Sequence, residues 1–237
     1  MLGWLLDMLR WLPDGYGGVS SYAGDIDAVF RFIYWLTFAT FWLVTILMVT
    51  FLYRYRYREG DTRRATYTHG NTALELIWTI IPAIVFIAIW FVSKDTWADI
   101  KYKTKFSTPD VEVRVTASQF AWGFAYPGPD KLFDTVDDKT DKELQGADKE
   151  LHVPVNKVVK VFLRSNDVIH SFFVPSFRLK QDAVPGREIE LWFKATKPGR
   201  YELPCAELCG PGHSGMVNWV HVLSDADYQK WMQKVWQ

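Results

Sequence analysis

The sequence predicts two membrane-spanning helices followed by an extracytoplasmic all-β domain of the barrel or sandwich type. Three observations support this fold class. Two long uncharged segments occur in the first half of the chain, an arginine-rich link separates them, and short segments of alternating polarity fill the second half. The formal net charge is zero, so bulk charge offers no attraction for nucleic acid, and none is expected as a partner.

The two uncharged segments have the length of transmembrane helices. Phe32–Tyr53 holds 22 residues without a charge. At about 1.5 Å per residue they reach about 33 Å, enough for a hydrocarbon core of about 30 Å. Leu76–Ser93 holds 18, with Trp78 and Trp90 near its ends, where indole rings favour the lipid headgroups. Pro82 removes one backbone donor from this second span and predicts a gentle kink.

The link between the spans carries five arginines, and short arginine-rich loops stay in the cytoplasm. Both ends of the chain are therefore predicted to lie outside the cytoplasm. The protein is predicted to be in the inner membrane of a bacterium. We expect an N-terminal extracytoplasmic segment at residues 1–29, a transmembrane hairpin at 30–97 with its cytoplasmic loop at 54–75, and an outer domain at 98–237. The apolar, tryptophan-rich Met1–Leu12 is interpreted as an interfacial helix, with a signal peptide as the alternative.

Four segments of the outer domain alternate apolar and polar residues with period two, as half-buried β-strands do. No strong helix pattern separates them, which favours a sandwich or barrel. Ser224 can cap a final helix over Asp225–Gln237. The acidic stretch 127–150 is interpreted as a solvated loop, with a docking patch for a basic partner as the alternative. The predicted strands are 111–117, 158–164, 187–193 and 217–222.

Metal-binding side chains are concentrated between Cys205 and Met216, where the chain reads Cys-Ala-Glu-Leu-Cys-Gly-Pro-Gly-His-Ser-Gly-Met. Cys209, His213 and Met216 form most of a mononuclear blue-copper set, because soft sulfur ligands select copper. Cys205 adds a thiol that one copper does not need, and two thiolates can bridge two metals. The loop therefore predicts a binuclear copper centre.

A disulfide between the two cysteines is the alternative, because close pairs in oxidising compartments are usually bonded. The histidine and methionine that follow favour copper, since a structural disulfide uses neither. A further ligand must come from another strand, and His170, with its apolar neighbours, is the best candidate. His69 lies in the predicted cytoplasmic link, and His152 and His221 are expected at the surface or on a strand face.

Two further motifs precede the metal loop: Asp167-Val-Ile-His-Ser and Leu179-Lys-Gln-Asp-Ala-Val-Pro-Gly-Arg187. With the two spans and the Cys205–Met216 loop, they make the chain resemble subunit II of the haem-copper cytochrome c oxidases. The resemblance implies a cupredoxin-like domain holding the binuclear copper centre called CuA. It implies that the chain accepts single electrons and passes them to the haem of subunit I. Subunit I would reduce O2 to water and couple this reaction to proton pumping. Other oxidase subunits are implied as further partners.

The same resemblance implies the metal ligands. The backbone carbonyl of Glu207 would bind copper, while its carboxylate would bind magnesium at the boundary with subunit I. The remaining copper ligands would be two bridging thiolates, two imidazoles that each bind one copper, and one axial thioether. These are Cys205 and Cys209, His170 and His213, and Met216.

Glu75 stands at the predicted cytoplasmic start of the second span. Thr72 and Glu75 have the spacing of a capping box, and the helix dipole favours a carboxylate there. The stretch from His69 to Pro82 also resembles one whose glutamate lies at the mouth of a proton channel into subunit I. The two roles are compatible.

The stretch Gln119-Phe-Ala-Trp-Gly-Phe matches an aromatic segment of the family that usually begins Gln-Trp, and whose first tryptophan receives the electron from cytochrome c. Phe120 occupies that position here and Trp122 is retained. Ordinary strand packing is the alternative for both. The change leaves two donors open, a cytochrome c-type protein and a membrane-bound one. The chain has no Cys-x-x-Cys-His motif, so the donor is expected to be a separate protein.

Three other functions share part of this pattern. Subunit II of quinol oxidases shares the fold but lacks the copper ligands, and nitrous oxide reductase carries a similar loop but is soluble and much larger. A membrane-anchored copper chaperone of thioredoxin type also uses Cys-x-x-x-Cys and a distant histidine. It would place the cysteines early in a βα unit, after a single span, whereas here they lie near the end of the predicted all-β domain.

Overall fold

The computed structural model describes most of the chain, in two compact units. One unit is Ala28–Trp97, and the other joins the described residues up to Asp27 with those from Ala98 onward. The predicted interfacial helix at the N-terminus and part of the acidic stretch fall outside the described residues. The described residues are 18–62, 64, 66–102, 108–135, 138–140 and 149–236.

Two long helices, α1 (Ala23–Arg54) and α2 (Thr72–Tyr102), contain the two predicted spans. Both are long and apolar enough to cross a membrane, and their most apolar segments are not buried. Each extends beyond its uncharged segment, because helical hydrogen bonding continues into polar residues that lie outside the hydrocarbon layer. The prediction of two apolar N-terminal helices that can span a membrane is confirmed for the described residues.

The capping residue of α2 differs from the prediction. The backbone N–H of Leu74 donates to the side-chain oxygen of Asn71 at 3.2 Å, so Asn71 is the N-cap and Thr72 is already helical. Asparagine is among the strongest N-cap residues because its short carbonyl reaches these free amides. The predicted capping box between Thr72 and Glu75 is therefore wrong by one residue, and the Glu75 carboxylate is not its partner.

The described residues of the outer domain form three sheets and a terminal helix, α3 (Asp225–Trp236). Its strands are β1 (Val111–Ser118), β2 (Ala121–Tyr126), β3 (Lys139–Thr140), β4 (Leu151–Pro154), β5 (Val159–Ser165), β6 (His170–Val174), β7 (Leu179–Ala183), β8 (Ile189–Phe193), β9 (Gly199–Pro204) and β10 (Val217–Leu223).

The strands pair as β3-β2-β1-β5-β8, β4-β10-β9 and β6-β7. The four predicted strands are β1, β5, β8 and β10, and all are confirmed. Ser224 accepts a hydrogen bond from the backbone N–H of Asp227 at 3.2 Å, as predicted for the cap of α3.

The core of the outer domain follows the period-two pattern. Val113 and Val115 of β1, and Val161 and Leu163 of β5, are fully buried, while the residues between them are partly exposed. The parallel pairing of β1 with β5 places these side chains in register on one face. Burying each such side chain contributes roughly 1.5–3 kcal/mol to the stability of the fold. This apolar face therefore packs the sheet against the core of the outer domain.

Both strand-face histidines of the outer domain are part of an aromatic stack. The ring of His152 on β4 lies 4.7 Å from that of His221 on β10 and 4.6 Å from the indole of Trp231, with all three planes nearly parallel. The carboxylate of Glu150 contacts His221 and forms an ion pair with Arg200 at 2.8 Å. The strand-face prediction is confirmed, and His152 is buried because α3 covers it.

The residues that precede the membrane segment of α1 are part of the outer domain. Val19 and Tyr22 are buried in its core, and the backbone N–H of Val19 donates to the carbonyl of Ser176 at 2.8 Å. The guanidinium of Arg178 donates to both carboxylate oxygens of Asp27, at 2.7 and 3.3 Å, and Asp27 is only 3% exposed. A buried ion pair therefore ties the first turns of α1 to the β-domain.

Replacing Asp27 by alanine should destabilise the outer domain by about 3 kcal/mol, because it leaves the Arg178 guanidinium without its buried partner. The measurement is denaturant unfolding of the full chain in detergent, followed by tryptophan fluorescence. Asp25→Ala is the matched control, since Asp25 lies two residues away and is exposed. Equal unfolding midpoints for the two variants would contradict the expectation.

Candidate metal centre

The metal loop connects β9 to β10, and its two ends are joined. The backbone N–H of Cys205 donates to the carbonyl of Met216 at 2.9 Å. A single 3-10 turn at His213–Gly215 brings the chain back, and the N–H of Met216 donates to the carbonyl of His213 at 3.1 Å. This local closure turns the cysteine, histidine and methionine side chains toward one small volume.

His170 reaches the same volume from a different part of the sequence. It is the first residue of β6, and Phe172, two residues on, forms a β-bridge with Cys205. The N–H of Ala206 donates to the carbonyl of Ser171 at 3.1 Å, which extends this contact. The strand pairing thus brings the predicted distant ligand beside the cysteine loop.

The five predicted side-chain donors form one connected group. The sulfurs of Cys205 and Cys209 are 4.0 Å apart and unbonded, so the disulfide alternative does not hold in this structure. His170 Nδ1 lies 3.9 Å from the Cys205 sulfur, while His213 Nδ1 and Met216 Sδ lie 3.6 and 3.9 Å from the Cys209 sulfur. Donors on one metal ion, with bonds of about 2.0–2.3 Å, lie roughly 3.3–3.8 Å apart. The residues fit a copper site.

Four of the five donor residues are buried, and His213 is partly exposed. His170 is fully buried, and Met216, Cys209 and Cys205 are 1, 4 and 7% exposed. Burial, together with the neighbouring Cys205, raises the pKa of the Cys209 thiol. Because only the thiolate binds metal, loading this site must displace a thiol proton.

Asp167 sets the tautomer of His170. Burial by itself would raise the pKa of this carboxyl, yet hydrogen bonds from the His170 ring and from the N–H groups of Gln119 and Val168 lower it to about 2. An ionised carboxylate only accepts, so Nε2 of His170 carries the proton in its 2.8 Å bond to Asp167. The Nδ1 lone pair is thereby left for a metal, which is the usual arrangement of a metal-binding histidine and its carboxylate.

The turn between β1 and β2 lies against the metal loop. The side-chain amide of Gln119 donates to the carbonyl of Cys209 at 2.5 Å. A Cβ added to Gly212 would lie 2.5 Å from the Phe120 ring, so that ring covers the loop backbone. Neither Gln119 nor Asp167 is among the site residues predicted from the sequence. For Asp167, the position three residues before a ligand histidine was the available signal.

The other predicted site residues occupy distinct positions. Trp122 is buried and packs edge-on against Phe172, with its ring centroid 5.8 Å from that of Phe172 and 6.3 Å from that of His170. The carbonyl of Glu207 accepts from the Cys205 sulfur at 3.2 Å, and the Glu207 side chain is exposed. Glu75 belongs to the other compact unit.

The position of the cysteines argues against a thioredoxin-type chaperone. Cys205 directly follows β9, and the next regular strand after Cys209 is β10, with only a 3-10 turn between them. A thioredoxin-type motif needs an α-helix directly after its cysteines, whereas here no α-helix lies between Cys209 and β10, a stretch that the structure describes throughout.

Comparison with known proteins agrees with this arrangement. The model of the cytochrome c oxidase subunit II periplasmic domain matches residues 111–223, and that of the subunit II transmembrane domain matches residues 17–95. Cytochrome c oxidase subunit 2 of Cereibacter sphaeroides is 32% identical over an alignment 249 residues long. The alignment covers 94% of this chain and 80% of that protein. The alternative cytochrome c oxidase subunit 2 of Bradyrhizobium diazoefficiens is 30% identical and covers 94% and 83%.

Among solved structures, the periplasmic domain of cytochrome oxidase subunit II from Bradyrhizobium japonicum is 34% identical. It covers 54% of this chain and 95% of that one, with a TM-score of 0.46. Family models match both the membrane segment and the outer domain, and the full-length relatives match nearly the whole chain. The chain therefore belongs to the cytochrome c oxidase subunit II family and is an inner-membrane subunit of a haem-copper terminal oxidase.

Proposed function

We propose that this chain accepts single electrons outside the cytoplasm, at two copper ions, and passes them to the haem of subunit I. The observation that carries the proposal is the pairing of each imidazole with a different sulfur, His170 with Cys205 and His213 with Cys209. A single ion would need both imidazoles close to one point. Two copper ions, held by these two pairs of residues, would fit their separation.

The residues around the donors favour fast electron transfer. When bound, two thiolate-bridged coppers supply a one-electron redox site in which the charge change is shared. The buried His170 and Met216 exclude water, so little solvent must reorganise. Asp167 holds the proton at Nε2 of His170 and keeps that ring in one orientation. The carbonyl of Glu207, 3.2 Å from the Cys205 sulfur, would be the further copper ligand.

The apolar side chains beside the ligands suit a docked donor. Ile169 precedes His170 and is 47% exposed, Leu208 precedes Cys209 and is 79% exposed, and the Phe120 ring on the loop is 38% exposed. Exposed apolar groups flanking a buried redox site form the kind of desolvated centre found in protein interfaces. We propose that a cytochrome c-type donor docks here and that electrons arrive through Phe120, with the membrane-bound donor as the alternative.

The remaining assignments follow the family. The exposed carboxylate of Glu207 would bind magnesium at the boundary with subunit I, and Trp122, close to His170, would belong to the electron path. The arginine-rich link would face the cytoplasm, which puts the outer domain on the periplasmic side. Glu75 is exposed near the start of α2 and forms no hydrogen bond to another described side chain, which leaves its carboxylate available as a proton-uptake group for subunit I.

The full chain should bind about two coppers and show the multi-line hyperfine pattern of one electron shared between them in electron paramagnetic resonance. His213→Gln should lower the copper content and abolish that pattern, because the Cys209 side loses its nitrogen donor. His69→Gln is the control, since His69 lies in the link between the spans. A simple mononuclear signal from the unmodified chain would refute the binuclear assignment.

Phe120→Ala should lower the rate constant for reduction by a soluble cytochrome c about tenfold, because it removes a central apolar contact of the proposed docking site. Stopped-flow reduction of the assembled oxidase measures this rate. Leu132→Ala, which truncates an exposed apolar side chain of another loop, should leave it unchanged. An unchanged rate in Phe120→Ala would mean that electrons arrive elsewhere.

Glu75→Ala should slow oxygen consumption by the assembled oxidase about tenfold or more, because a group that hands protons to subunit I is lost. The copper resonance should stay the same, since the site belongs to the other compact unit. Glu59→Ala removes an exposed carboxylate from the same link and is the control. Normal turnover in Glu75→Ala would rule out the proton-uptake assignment.

A further inference from the structure

The backbone contacts of the described residues join the two segments that supply the metal donors at the Cys205 end of the loop. At the Cys205 end, the bridge to Phe172 and the hydrogen bond between Ala206 and Ser171 hold the loop against β6. The other end, around Cys209, is built from turns internal to the loop, such as the bond from the His213 N–H to the Gly210 carbonyl at 3.1 Å. The position of Cys209 relative to His170 therefore depends on a support from outside the loop.

Gln119 supplies such a support, because it forms one hydrogen bond to the metal loop and another to the segment that carries His170. Its side-chain amide donates to the carbonyl of Cys209 at 2.5 Å, and its backbone N–H donates to Oδ2 of Asp167 at 2.7 Å. The other oxygen of Asp167 accepts from Nε2 of His170 at 2.8 Å. A continuous chain of three hydrogen bonds thus runs from one predicted ligand, His170, to the backbone of another, Cys209.

Close packing shows that this turn is seated on the loop. Gly210 has a φ of +135°, and a Cβ there would lie 2.8 Å from the Gln119 amide nitrogen. A Cβ on Gly212 would meet the Phe120 ring at 2.5 Å. Only glycine at these two positions lets the backbone of the loop approach the turn so closely. The contact of Gln119 with Cys209 is therefore part of a fitted surface.

The turn also has its own attachment to the segment that carries His170. The backbone N–H of Asn166 donates to the carbonyl of Ala117 at 3.0 Å, and its side chain donates to Ser118 Oγ at 3.0 Å. These bonds hold the turn against the segment that contains Asp167, whether or not the Gln119 side chain is present. Removing that side chain would release the Cys209 end of the loop alone.

We infer that Gln119 is a positioning residue of the copper centre, whose carboxamide sets the place of Cys209 relative to His170. The inference rests on the proposed function, because the spacing of these two donors matters only if they bind copper together. Groups that orient metal ligands without touching the metal commonly change metal affinity by about 10–100-fold when they are replaced. Gln119 acts on the cysteine backbone in this way, while Asp167 acts on the histidine ring.

The test compares copper retention in full chains purified in detergent and loaded with copper. Gln119→Ala removes the amide, and Gln119→Glu keeps its length but replaces the donor N–H by an acceptor. Both should release copper to a chelator about tenfold faster than the unmodified chain and should change the hyperfine splitting in electron paramagnetic resonance. Gln229→Ala, which removes the same type of side chain from an exposed position on α3, should match the unmodified chain in both measurements.

Thermal unfolding of the copper-free chains separates positioning from a general loss of structure, and we expect melting temperatures close to that of Gln229→Ala. Normal release and splitting in Gln119→Ala would overturn the inference. Failure of both Gln119 variants to fold would also overturn it, because the residue would then serve the domain and not the centre. A mononuclear signal from the unmodified chain is a different result, since it refutes the proposed binuclear function.

Discussion

The pairing of β6 with the end of β9 is the constraint on which the metal centre depends. The bridge between Phe172 and Cys205 brings together two segments that are separated by more than thirty residues, and it places His170 beside the cysteine sulfurs. Backbone hydrogen bonds hold this contact, so it exists before any metal arrives. Such pre-organisation lowers the cost of collecting five donors from a flexible chain, because their conformational entropy is already lost on folding.

The surroundings of the donors are organised by charge as well as by packing. Asp167 is the one carboxylate in direct contact with a predicted ligand ring among the described residues, and its lowered pKa keeps it ionised over the physiological range. A fixed negative charge at Nε2 makes the other ring nitrogen of His170 a better donor. Burial acts in the opposite direction on the Cys209 thiol, because it raises the pKa of that thiol and so disfavours the thiolate that binds metal.

Much of the fold could be predicted from periodicity and charge alone. The two spans, four of the strands and the cap of α3 follow from patterns within one segment, and each was confirmed. The cap of α2 was predicted one residue late, because Asn71 and Thr72 are both good caps and the sequence does not say which one leaves the helix. The shorter strands, such as β4, gave no usable signal, because their residues are buried on both sides and do not alternate.

The sequence by itself determined the chemistry of the site: which donor atoms are available, and that four of them fall within one loop. It also determined the membrane segments, since hydrophobic length and arginine content are properties of consecutive residues. Only the tertiary structure decided that Gln119 reaches the carbonyl of Cys209, that Asp167 turns the ring of His170, and that Val19 and Tyr22 complete the core of a domain they precede by about ninety residues. These contacts join distant segments through single hydrogen bonds and buried surfaces, which leave no periodic trace along the chain.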